Sequence, residues 1–251
     1  MTRRVAVVNQ KGGVGKTTTV ANLGFMLAQK GFKVTVIDLD PQGSLTISLG
    51  VNWLDKTGIE DVLLHGDEVE DVIIDVRENM KLIASGNNLG QVEQITESSS
   101  GMAKRLKTAI AKLKNEDYVL IDCPPSSGFL VVCALFASEE VLIPIASDYL
   151  ALHGMSHLLG TLDMFEKKIK HKLKRWIAVT RFHPRRRLAA EVQQKLIDNF
   201  SGSVLKTAIR ETSALAESPS FGLTIKEYKQ SSYGAEDYES LADDFCLERT
   251  Y

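Results

Sequence analysis

The segment Asn9-Gln10-Lys11-Gly12-Gly13-Val14-Gly15-Lys16-Thr17-Thr18-Thr19 concentrates the residue types that bind phosphate. Glycines let successive backbone N–H groups turn toward an anion, and a helix starting at the loop's end adds its positive pole. Lys16 is spaced to reach terminal phosphates, and the Thr17 hydroxyl suits a magnesium ion. The segment departs from the G-x-x-x-x-G-K-[ST] pattern twice: Gln10 stands where the first glycine falls, and an additional lysine, Lys11, opens the loop. Taken alone, Lys11 reads as a solvated surface lysine.

Carboxylates follow two apolar runs. Val36-Ile37-Asp38-Leu39-Asp40 places two acids on one side of an extended chain, and Tyr118-Val119-Leu120-Ile121-Asp122 ends in a third. Aspartates also cap helices and turns. Beside a phosphate loop, however, an aspartate closing a buried strand is positioned to hold magnesium, usually through water.

These groups must be carried by a scaffold that brings strand ends together. Short β-rich runs at 4–8, 33–38, 80–84, 118–122, 140–144, 175–180 and 203–206 alternate with helical patterns. The helical patterns fall at 17–29, 101–114, 129–137, 151–169, 188–199 and 235–245. Near-continuous apolar strands alternating with helices predict an α/β fold: a doubly wound, mostly parallel sheet with helices on both faces. Ligands bind such folds at the carboxyl ends of the strands. With no internal repeat or linker composition, residues 1–251 read as one domain with no helix-turn-helix extension in front of it.

Three motifs, Lys11 to Thr19, Val36 to Ser44 and Tyr118 to Ser126, together resemble the ParA/MinD family of deviant Walker ATPases, most closely its ParA branch. Leu215 to Gly222 and Tyr233 to Tyr238 agree more weakly and in the right order, so the resemblance covers nearly the whole chain. It implies ATP and Mg²⁺ as cofactors, with Lys11, Gly12, Gly13, Val14, Gly15, Lys16, Thr17 and Thr18 around the phosphates and Pro219 near the base. Thr17 and Asp122 would organise the metal, Asp38 would support its water shell, and Asp40 would orient the attacking water. Lys11 would cross an ATP-dependent sandwich dimer to the partner's phosphates. Slow, dimerisation-dependent hydrolysis by positioning and charge neutralisation then follows.

The charge balance first argues against a nucleic-acid binder: 30 basic against 32 acidic residues give a net charge of −2. Residues 167–187 nonetheless hold ten Lys or Arg and no acid; removing that +10 leaves −12 on the rest. Such a patch binds phosphate backbone without reading bases. Joined to the resemblance, it implies nonspecific double-stranded DNA as a partner. The candidate contacts are Lys174, Arg181, Arg185, Arg186, Arg187, Arg210, Lys226 and Lys229. One departure weighs on that map, since Ala214 stands where many relatives carry another basic residue.

The resemblance further implies plasmid or chromosome partition driven by a ParB-like adaptor, with the protein cytoplasmic and nucleoid-associated. Positioning of a protein cargo is the alternative. A metabolic kinase or ligase is a less favoured class, opposed by Lys11 and the Asp38-x-Asp40 pair, and a membrane-bound MinD-type regulator is opposed by the acidic segment 236–248. Cys123, Cys133 and Cys246 lack metal-ligand spacing, and residues 129–137 are about half a membrane span. His153 and His157 lie one helical turn apart without an evident third ligand. Trp53 and Trp176 read as core or interface residues rather than base-stacking platforms.

Overall fold

The computed structural model describes residues 2–52, 57–92, 99–149 and 151–251. Seven strands form one sheet: β1 Arg3–Val7, β2 Val34–Asp38, β3 Ile73–Arg77, β4 Met80–Ile83, β5 Tyr118–Asp122, β6 Glu140–Ala146 and β7 Lys174–Thr180. Their spatial order is β3-β4-β2-β5-β1-β6-β7. Every pair is parallel except the edge pair β3–β4. The α-helices are α1 Lys16–Gln29, α2 Ser44–Ser48, α3 Ile59–Leu64, α4 Leu89–Val92, α5 Ser99–Lys112, α6 Phe129–Ala137, α7 Ala151–Ile169, α8 Arg187–Asn199, α9 Ser213–Glu217, α10 Ile225–Tyr228 and α11 Tyr233–Cys246.

The alternation of side chains along each strand produces two cores. Val5, Val7, Val34 and Val36 pack beneath Leu23 and Leu27 of α1 and Leu241 and Phe245 of α11. Ala6, Ile37, Val119 and Ile121 face the other way, toward Leu106 of α5, Leu162 of α7 and Leu196 of α8. Burial on both sides explains why β2, β5 and β6 are apolar without a polar face. The doubly wound, mostly parallel α/β architecture expected from the sequence is the one observed.

Two expectations change. Residues 203–206 make only isolated bridges, Val204 to Ile177 and Leu205 to Thr250, so no full strand extends the sheet beyond β7. The antiparallel edge strand β3 went unread because its half-exposed Ile-Ile-Asp-Val-Arg sequence lacks a buried run. Trp53 lies outside the described residues. Trp176 is buried, its ring edge-on to Phe245 at 5.8 Å.

Candidate nucleotide site

Strand register gathers the chemistry. Val7, Asp38 and Asp122 end three neighbouring parallel strands, with Asp122 paired to both of the others. The chain leaving β1 forms the glycine loop and enters α1. Gly13 (φ 71°) and Gly15 (φ 92°) adopt the left-handed conformation that L side chains resist, and Gly15 caps the helix. A Cβ at Gly12 or Gly13 would meet nothing within 4 Å, so the loop's concave front is open to a ligand.

The loop is moored from behind. Thr180, at the end of β7, donates its hydroxyl to the Val14 carbonyl at 2.7 Å. Asn9 donates to the Pro144 carbonyl at 2.8 Å and accepts from the Lys11 N–H at 3.0 Å. Holding the Val14 carbonyl on Thr180 keeps that acceptor engaged away from an incoming anion, so the loop needs little rearrangement on binding.

Beneath the loop lie two fully buried carboxylates. The Thr17 hydroxyl donates to Asp122 Oδ2 at 2.6 Å, whereas Asp122 Oδ1 is buried with no hydrogen-bond partner. Asp38 Oδ2 accepts from both the N–H and the hydroxyl of Thr46, each at 2.8 Å. Burial pushes the Asp38 carboxyl up to about 6, against the hydrogen bonds from Thr46. Burial also raises Asp122 well above the usual carboxylate range, and the neighbouring Asp38 adds to it. Lys16 is itself 7% exposed; burial lowers its pKa, opposed by Asp122 and Asp40. Two buried acids, one with an unused oxygen, beside a hydroxyl and an ammonium form a cation-deficient oxygen site. The hard oxygen donors suit Mg²⁺. Asp40 is half-buried nearby, accepting from the Gln42 N–H at 3.0 Å.

A cleft of about 270 Å³ opens beside the loop, lined by Gly13, Gly15, Thr18, Thr180, Arg181, Ile209, Arg210, Glu211, Thr212, Leu215, Ala216 and Tyr238. Pro219 does not line it; the 3₁₀ turn Ser218–Phe221 packs instead against α2. There Gly50 and Gly222 meet back to back, and a Cβ on Gly222 would lie 2.5 Å from Gly50 Cα. Arg77 clasps the pair, donating to the Leu49 carbonyl at 3.4 Å and the Gly222 carbonyl at 2.9 Å. The helix that supplies Thr46 is thereby fixed to the turn that follows the cleft-lining residues Leu215 and Ala216.

The basic run is not one face. Strand β7 lies inside it, and seven residues at about 3.3 Å each separate its ends by about 20 Å. Lys174 stays at the end remote from the loop, pairing with Glu248 at 2.6 Å and lying over Trp176. Arg181, Arg185, Arg186 and Arg187 emerge at the loop end. Arg181 pairs with Glu211 at 2.8 Å on the cleft wall, and Arg187 with Glu191 at 2.8 Å. Arg210 is locked to Asp237 at 2.6 Å and covers the Tyr233 ring, while Lys226 pairs with Glu239 at 2.7 Å. Exposed Arg185, Arg186 and Lys229 make no ion pair among the described residues and keep their full charge for a ligand.

Thr46, Thr180 and Glu211 could not have been singled out from the sequence, because each reaches the site only through the fold. The His153 side chain lies outside the described residues; His157 bonds Gln10. No described helix is long and apolar enough to cross a membrane.

Known proteins resemble this chain in sequence and in fold. A family model described as an AAA domain matches residues 2–175. The sporulation initiation inhibitor protein Soj of Bacillus subtilis is 39% identical over 246 residues, spanning 96% of this chain and 97% of that protein. The chromosome-partitioning ATPase Soj of Thermus thermophilus is 37% identical over 243 residues, spanning 96% and 94%. A crystal structure of cobyrinic acid a,c-diamide synthase from Mycobacterium smegmatis, with bound ADP and magnesium, superposes with a TM-score of 0.83 at 34% identity, covering 98% of this chain and 94% of that one.

Proposed function

The chain belongs to the Soj/ParA family of AAA-domain ATPases, and from that premise we propose that it is an ATP-driven partition switch using Mg²⁺. The observation that carries the reading is the unpartnered, buried Asp122 oxygen beside Thr17 and Lys16, under an open glycine loop. Thr17 and Asp122 would hold the metal, with Asp38, braced by Thr46, fixing its water shell. Bound magnesium supplies charge neutralisation to the phosphates. The loop N–H groups from Gly12 to Thr18 and the Lys16 ammonium bind and orient the phosphate chain, and Asp40 holds the attacking water in line.

The further reading is that residues 1–251 act as one ATPase domain that dimerises around ATP, with Lys11 reaching the partner's phosphates. Hydrolysis is slow and depends on that dimer. The dimer binds nonspecific DNA through Arg185, Arg186 and Lys229, in the nucleoid of the cytoplasm. A ParB-like adaptor triggers hydrolysis and release of a plasmid or chromosomal cargo, or of a protein cargo. Arg181, Arg210 and Lys226 are weaker DNA candidates, their charges being held by acids of the same chain.

Lys16→Ala is expected to abolish ATP binding and, with it, ATP-dependent DNA retention. Full DNA retention by that variant refutes the coupling. The likeness to a diamide synthase structure favours a second reading, an ATP-consuming ligase. ATP turnover that required a small carboxylic acid acceptor would establish that reading instead.

A further inference from the structure

Gln10 and Lys11, the two residues that depart from the standard phosphate loop, are both gripped by the segment that follows β6. The Lys11 ammonium lies 2.5 Å from Asp148 Oδ2, across 137 residues of sequence. Gln10 Oε1 lies 3.0 Å from His157 Nδ1 on α7. This segment is itself well anchored. The Ser147 N–H donates to the Thr180 carbonyl at 3.0 Å, and Met155 and Leu158 of α7 are buried in the core. Asp148 is therefore presented to the loop mouth beside an anchored backbone group, and His157 from a helix seated in the core.

We propose that Asp148 and His157 are positioning residues forming a latch, which holds Lys11 on its own protomer until a second copy of the chain displaces Asp148. The inference rests on the reading that Lys11 acts across a dimer. An ammonium drawn onto Asp148 of its own chain is not extended toward a second one, so dimer formation includes breaking this ion pair. Both groups are more than 40% exposed, so the pair is weak enough to open without a partner's help being large. An exposed pair biases a two-state equilibrium by about 1.4- to 5-fold, and a dimer opens two latches. The latch thereby raises the concentration at which the ATP-bound protein pairs. It guards against premature pairing, and so against hydrolysis, at low protein concentration.

The test measures dimer dissociation constants by sedimentation velocity in Mg²⁺ and ATP, using the full chain. Asp148→Asn should tighten the dimer by about 2- to 25-fold and raise hydrolysis at low protein concentration, with kcat at saturating protein little changed. Asp148→Glu, which can remake the pair, should return toward the unmodified protein. His157→Ala should shift the dimer in the same direction as Asp148→Asn and by less. In a Lys11→Ala background, Asp148→Asn should change nothing. An unchanged or weaker dimer for Asp148→Asn, with hydrolysis still lost in Lys11→Ala, overturns the latch alone. A shift that persists without Lys11 also overturns it. If Lys11→Ala dimerises and hydrolyses normally, the cross-dimer reading fails, and the latch fails with it.

Discussion

Replacing Asp122 by Asn should stabilise the ligand-free protein while removing the gain it receives from magnesium and nucleotide. Asp38 and Asp122 are register partners on adjacent parallel strands, which run about 4.8 Å apart. Two charges about 5 Å apart at an effective dielectric constant of about 20 repel by about 3 kcal/mol. The burial of the Asp38 carboxyl adds a separate bias against its charged form. A rise from 3.8 to about 6 corresponds to about 3 kcal/mol of bias toward the protonated acid, with burial as its main cause.

The amide replaces an oxygen that already lacks a partner, and its carbonyl still accepts from Thr17, so no existing hydrogen bond need be lost. A net gain of about 1–3 kcal/mol at pH 8 should raise Tm by about 3–10 °C in a chain of this size. The sign with pH is fixed by the direction of the shifts. Both folded carboxyls hold their protons more tightly than the unfolded chain does. Their stabilising contribution is therefore complete below about pH 4 and is lost as pH rises through about 6 and beyond. Thermal unfolding between pH 4 and 8, with and without Mg²⁺ and ATP, reads all of this at once. The ligand-free Asn variant should overtake the unmodified protein as pH rises, and Mg²⁺ should add nothing to its nucleotide-bound Tm. A ligand-free variant that melts at or below the unmodified protein at pH 8 refutes the argument from buried like charges.

Two further perturbations probe other parts of the molecule. Gly222→Ala places a methyl group 2.5 Å from Gly50 Cα at a residue with φ of 66°; urea unfolding should show a loss of about 2 kcal/mol or more, and a loss below about 0.5 kcal/mol would contradict the contact. Replacing Arg185 and Arg186 by Gln should reduce the slope of log K against log salt for DNA by about 2, whereas Lys174→Gln, at the far end of β7, should leave it unchanged. Equal effects from both sets would restore a single basic face.

The legibility of the site followed the range of its contacts. The glycine loop, Lys16, Thr17 and the strand-end acids Asp38 and Asp122 could be read because their neighbours in sequence define their setting. Thr46 was not readable, since it sits in a five-residue helix and matters only through its bonds to Asp38. Asp148 escaped for the same reason, its partner Lys11 lying 137 residues away. The basic run was visible as a count of charges, but β7 separates its members in space. Acids from other parts of the chain then pair with several of them: Glu248 with Lys174, Glu211 with Arg181 and Glu191 with Arg187. The helical and parallel-strand pattern carried most of the fold because burial on both sheet faces leaves near-continuous apolar runs. Only the exposed edge strand β3 and the bridges near Val204 lacked such a signature.

The Gly50–Gly222 contact also limits how this chain can drift. Gly222 is closed by the Gly50 backbone, Gly50 at φ 80° would bring a Cβ to 3.2 Å from the Gly222 carbonyl, and no residue smaller than glycine exists to compensate for a change at either partner. A substitution on either side therefore has no complementary mutation that could rescue it, and the two sites must be inherited as a fixed pair. The neighbouring exposed side chain Ile47 faces no such restriction and is free to diverge. Lineages of this chain should thus vary around the junction between the Thr46 helix and the cleft-side turn, while the junction itself stays unchanged.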